Sequence, residues 1–214
     1  MVRSQAVLVA LLLLCGATAA PAQSSDIGAG RLEAGFFPFG AALYVGGNDD
    51  DEVNFNTYNF GGHATWYFNR LAAVEGEGSL GLGIAQDIIA GNRFFEHIHV
   101  PHTFGFSGNV VVFPTGSDRQ LAAYLTGGVG VLSLLERGAA TQTLGLTGPE
   151  SFLATNFGGG AKLFRGGTGL ASWGVRFDYR IFLVNSDESA DPFFASTETR
   201  IGHRFYMGFQ YQLR

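Results

Sequence analysis

The chain has 214 residues, 46% of them hydrophobic and only 14% charged, with a formal net charge of −5. Its mean hydropathy is +0.16, yet no apolar run approaches the ~20 residues that a membrane-spanning helix needs. An acidic chain without a basic run is a poor nucleic-acid binder, and 32 glycines with 20 phenylalanines suit apolar residues spread over alternating strands.

The first 22 residues read as a secretory signal, leaving 23–214 as one domain. Arg3 supplies the positive end, Ala6–Leu14 is an unbroken apolar run, and Ala20-Pro21-Ala22 fits a small-x-small cleavage site, with Ala17-Thr18-Ala19 as the alternative. Cys15 is the single cysteine and lies inside this leader, where Leu13 and Leu14 do not suit a lipoprotein site. The exported product is therefore expected to hold together without a disulfide. Without Arg3 it has 18 acidic and 12 basic residues.

Eight strands are predicted in chain order, at 31–42, 57–69, 71–84, 102–114, 120–133, 152–165, 172–184 and 197–214. The first is interrupted by Pro38, which implies a bulge or an early end. Short joints rich in turn formers lie at Asn69-Arg70, Pro114–Arg119 and Arg165–Gly169. The remaining joints, 43–56, 85–101, 134–151 and 185–196, are long and read as mostly polar loops. Short and long joints alternate, and the strand count is even. This predicts an all-β fold: an eight-stranded antiparallel transmembrane β-barrel with short periplasmic turns and long extracellular loops.

Residue parity assigns the two faces. In the last strand Phe205, Met207, Phe209, Tyr211 and Leu213 share one parity, against Arg204, Tyr206, Gly208, Gln210, Gln212 and Arg214 on the other. Trp66, Phe68, Trp173, Phe209 and Tyr211 collect in an outward aromatic belt at the short-turn end. Tyr58, Phe60, Phe104 and Phe106 form a second belt at the other end. The inward parity carries Glu33, Glu75, Glu77, Lys162, Arg176, Asp178, Arg180 and Arg204. An eight-stranded barrel is just wide enough to be filled by side chains, so these charges are expected to pair and plug the lumen.

WGVRFDYR (Trp173–Arg180) and the closing strand carry a resemblance that covers essentially the whole exported chain. The chain resembles the small outer-membrane β-barrel family, the superfamily of the OmpA-type transmembrane domain. Tyr206-x-Gly208-x-x-Tyr211-x-Leu213 is similar to the signal read by the barrel assembly machinery, departing from it by ending on Leu213-Arg214 instead of an aromatic residue. The resemblance implies an outer-membrane location in a Gram-negative-type envelope, with outer-membrane lipid and that machinery as partners. No cell-wall-binding domain is recognisable in the sequence, and the family's many roles leave the function open.

His97, His99 and His102 in HIHVPH are the candidate metal ligands. The alternative is a polar loop bent by Pro101, and beyond Glu96 nothing completes a shell, so neither metal nor cofactor is expected. The acidic run 48–52 lacks the spacing of a calcium loop. Gly127-Gly128 and Gly158-Gly159-Gly160 are not followed by the Lys-Ser/Thr of a phosphate loop. A serine-hydrolase triad, as in lipid A-modifying barrels, finds no His-x-Ser; His63 faces inward, and His203 with a loop serine and Glu198 is the remaining combination. The expected function is therefore a non-enzymatic, plugged, porin-like membrane protein with an envelope-structural or surface-interaction role through its loops. A small channel or apolar-ligand carrier is the alternative, and a lipid A-modifying enzyme the more distant one.

Overall fold

The structure, a computed structural model, describes residues 30–45, 54–90, 93–135, 150–165, 171–185 and 199–213. The leader, the acidic run 48–52, the turn residues 166–169 and the greater part of three long loops lie outside the described residues. Among the described residues there are ten strands: β1 (Leu32–Val45), β2 (Phe55–Tyr67), β3 (Ala72–Gly83), β4 (Ala85–Ala90), β5 (Arg93–His99), β6 (His102–Val112), β7 (Leu121–Leu135), β8 (Glu150–Phe164), β9 (Ala171–Asn185) and β10 (Thr199–Leu213). Eight of them close a barrel in the order β1-β10-β9-β8-β7-β6-β3-β2. Each is antiparallel to its neighbours, and β1 pairs with both β2 and β10, so no sheet edge is left open.

The barrel is apolar outside and polar inside. Leu121, Leu125, Val129 and Val131 line the exterior of β7, and Trp173, Phe177 and Tyr179 that of β9. All the predicted belt residues at the short-turn end are exposed: Trp66, Phe68, Trp173, Phe209 and Tyr211. Trp173 faces Tyr211 directly across the β9–β10 ladder. An exterior this apolar suits hydrocarbon better than water, and closure of the barrel ladder leaves no strand edge to be solvated.

Two features depart from a simple meander. At Pro38, which lacks an N–H for the ladder, β1 bulges, with register shifts between Phe36 and Phe39 against β10 and between Phe37 and Ala41 against β2. The strand does not end there. Its parity inverts instead, from Glu33 and Phe37 inside to Ala42 and Tyr44 inside. The second departure corrects the expected polar loop at 85–101: β4 and β5 form a separate two-stranded hairpin between β3 and β6. Its Ile88, with Val100 beyond it, is buried against Tyr44, Phe55, Leu132, Leu134 and Phe152 at the long-loop end of the barrel. Burial of Ile88 and Val100 anchors this segment, together with hydrogen bonds between Gln86 and the Asn56 backbone.

The short-turn end is closed by different means. Tyr67, Val111, Phe113, Ala122 and Tyr124 form an apolar cluster there. Asn69 holds the first turn by accepting hydrogen bonds from the backbone N–H groups of Leu71 (2.7 Å) and Ala72 (2.9 Å). Gly116 takes a φ of 92° in the second turn, a conformation that glycine alone adopts at no steric cost. That turn folds back against the barrel, where the Arg31 guanidinium donates to Ser117 Oγ at 2.7 Å.

Candidate functional site

The lumen between these two apolar ends holds the chemistry. All eight charged residues that parity assigned to the interior are buried there. Period-2 alternation puts Arg176, Asp178 and Arg180 on one face of β9 and Glu75 and Glu77 on one face of β3, across the barrel from each other.

The centre is a four-membered charge cluster. Arg176 donates to Glu75 through Nη1 at 2.5 Å and to Asp178 through Nη2 at 2.8 Å. Arg180 donates to the same Glu75 through Nη2 at 2.7 Å and to Asp178 through Nε at 2.9 Å. Neutral groups complete it: the Tyr124 hydroxyl donates to Asp178 at 2.5 Å, and the Thr65 hydroxyl to Glu75 at 3.0 Å. Towards the long loops, Glu77 is held by Arg204, by Arg180 at 3.1 Å and by the Tyr206 hydroxyl at 3.0 Å. Towards the short turns, Glu33 accepts from Lys162 Nζ at 2.6 Å and from the Tyr67 hydroxyl at 2.7 Å, with His63 Nε2 at 3.3 Å. The Lys162 Nζ also lies within 5.5 Å of the ring centroids of Tyr67, Phe113 and Tyr124, so its head group is held by one carboxylate and three aromatic rings.

Glycines make room for this packing. A Cβ at Gly160 would lie 2.5 Å from the Tyr124 hydroxyl, and one at Gly35 would lie 2.2 Å from the His63 ring. Gly160 and its neighbouring glycines form no phosphate loop: they lie inside β8, with Gly160 opposite Asp178 of β9.

Among solved structures, the N-terminal β-barrel domain of OprF from Pseudomonas aeruginosa superposes on 86% of this chain and 98% of its own, at a TM-score of 0.50 and 10% identity. The fold is that of the small outer-membrane β-barrels. The outer membrane protein OprG from Pseudomonas aeruginosa covers 87% of this chain and 97% of its own, at a TM-score of 0.46 and 13% identity. Ail, the attachment invasion locus protein of Yersinia pestis, covers 86% and 99%, at 0.45 and 13%. No family model and no curated protein matches the chain.

His97 stands on β5, where its backbone N–H donates to Asp87 Oδ1 at 2.9 Å, while His102 on β6 accepts from the Gly83 N–H at 3.0 Å. Among the described residues no group of three His, Cys, Asp or Glu side chains is placed to hold a metal. His203 faces outward with its Nδ1 2.8 Å from the Tyr179 hydroxyl, and Glu198 lies outside the described residues. In the closing strand, Tyr206 faces the lumen, Tyr211 is exposed, a Cβ at Gly208 would overlap Phe37, and Leu213 pairs with Leu32 and Ala171.

Five lumen side chains that hold the charges were not singled out from the sequence as their partners: His63, Thr65, Tyr67, Tyr124 and Tyr206. Each sits on the inward parity of its strand, which is the signal that would have found them.

Proposed function

We propose that this chain is an outer-membrane barrel without catalytic activity, whose closed lumen stabilises it and whose long loops give it an envelope-structural or surface-interaction role. The observation that carries this reading is the buried lumen network, in which Glu33, Glu75, Glu77 and Asp178 each hold at least two side-chain partners inside the barrel. Charges this well satisfied resist hydration and leave no reason for a water column along the axis. The apolar clusters at both ends support the same conclusion. The leader-like first 22 residues fit export, the short turns then face the periplasm, and β10 is the segment offered to the barrel assembly machinery.

The test is conductance in planar bilayers. Purified barrel is expected to insert and stay silent over long recordings. Discrete, reproducible conductance steps that vanish on Leu132→Trp would overturn the closed lumen.

A further inference from the structure

The two ends of the barrel differ in the sign of their charge. Residues 46–54, 84–101, 136–150 and 186–200, which connect the barrel strands at the long-loop end, include 12 acidic and three basic residues. The short joints 68–71, 113–120 and 165–170 carry Arg70, Arg119 and Arg165 against Asp118 alone. All three arginines are exposed. Among the described residues none of them, nor Asp118, enters an ion pair.

These arginines stand at the edge of the lipid-facing surface. The ladder continues one step past β8, where the Arg165 N–H donates to the Trp173 carbonyl at 3.0 Å. Arg165 therefore extends the outward row of Leu163, and its guanidinium lies 5.8 Å from the Trp173 ring centroid. Arg119 comes two residues ahead of the exposed Leu121, and Arg70 stands between the exposed Phe68 and Leu71. Phe68 packs edge-on against Trp66, with ring centroids 4.8 Å apart. Backbone hydrogen bonds tie the turns to one another: the Ser117 N–H donates to the Arg70 carbonyl at 2.7 Å, and the Phe164 N–H to the Gln120 carbonyl at 2.8 Å. The three cations thus ride on one connected rim beside the aromatic belt.

A guanidinium placed there meets lipid headgroups, and it can grip a phosphate through two parallel N–H donors. A zwitterionic lipid offers the same phosphate but brings its own ammonium, so a net anionic lipid is favoured. We propose that the short-turn rim binds anionic phospholipid, whose phosphodiester accepts from Arg70, Arg119 and Arg165 while its upper acyl chains pack against Phe68, Leu121 and Trp173. This deepens the membrane reading given above and rests on it. The rim gathers anionic lipid around that end of the barrel and fixes the depth at which the barrel sits.

Both tryptophans of the chain are exposed at this end, so their emission reports the lipid beside the rim. The full exported chain is reconstituted in phosphatidylcholine nanodiscs that contain, at one equal mole fraction, brominated phosphatidylglycerol or brominated phosphatidylcholine, with the bromines near the headgroup. The glycerol lipid is expected to quench more strongly, by an amount equivalent to about fivefold local enrichment, the scale of one basic side chain at an anionic surface. Molar salt should shrink the preference. Arg70→Gln, Arg119→Gln and Arg165→Gln together should reduce quenching by the glycerol lipid to that of the choline lipid. Unchanged quenching by the choline lipid is the check that this variant still inserts, and Arg165→Gln alone should lower the preference partway. Equal quenching by the two lipids in the unaltered chain, a preference indifferent to salt, or one that survives the triple change would each overturn the proposal. No quenching by either lipid would instead sink the membrane reading, and this inference with it.

Discussion

Replacing Arg176 with methionine keeps the length of the side chain and removes its charge. Arg176 is fully buried and donates to Glu75, Asp178 and Tyr124 at 2.5–2.8 Å. Breaking a buried pair from one side costs roughly 3–5 kcal/mol, because the partner charge stays behind unsatisfied. Here Glu75 keeps Arg180 and Thr65, and Asp178 keeps Arg180 and Tyr124. The expected loss therefore falls at the lower end, about 3 kcal/mol. Neutralising Glu75 as well removes part of the excess charge, so Arg176→Met with Glu75→Gln should cost at least about 1 kcal/mol less than the sum of the single changes. Urea unfolding in lipid vesicles, followed by tryptophan emission, measures all three. A loss below about 0.5 kcal/mol for Arg176→Met, the scale of an ordinary surface change, would refute the argument. So would additivity within that margin.

Gly35→Ala should destabilise the barrel by about 1–3 kcal/mol, since its methyl group would meet the His63 ring. Adding His63→Ala should restore much of that loss in the same unfolding assay, and failure to do so would place the strain elsewhere. Lys162→Met should cost about 3 kcal/mol or more by leaving Glu33 with only a hydroxyl and an imidazole, again read from urea midpoints. Trp66 and Trp173 are the two tryptophans of the chain, and both are exposed at the short-turn end. Lipids brominated near the headgroup should therefore quench their emission more than lipids brominated at the chain ends.

Much of the barrel was legible in the sequence because its physics is repetitive. Lipid outside and a packed polar lumen inside impose one alternation on every strand, so Arg176, Asp178 and Arg180 could be assigned to the interior from β9 alone. Pairing could not be read this way. Arg176 meets Glu75 and not Glu77 because of the stagger around the closed ladder, which no single strand records. The hairpin at 85–99 was missed for a different reason. Its doublets Ile88-Ile89 and Phe94-Phe95 break the period-2 alternation that marks the barrel strands. Gly91-Asn92 between two apolar runs was the available hairpin signal. Pro38 announced a bulge, but not that the parity of β1 would invert beyond it, since a bulge of one residue and one of two leave the same mark in the sequence.

The central claim is a closed barrel whose apolar surface lies in lipid. Gel mobility with and without boiling, on protein taken from the outer-membrane fraction in detergent, tests it most directly. A heat-dependent shift in band position is predicted, because the closed ladder resists detergent until heated. A band that runs identically under both conditions, with the protein recovered from the soluble periplasm, would contradict the account.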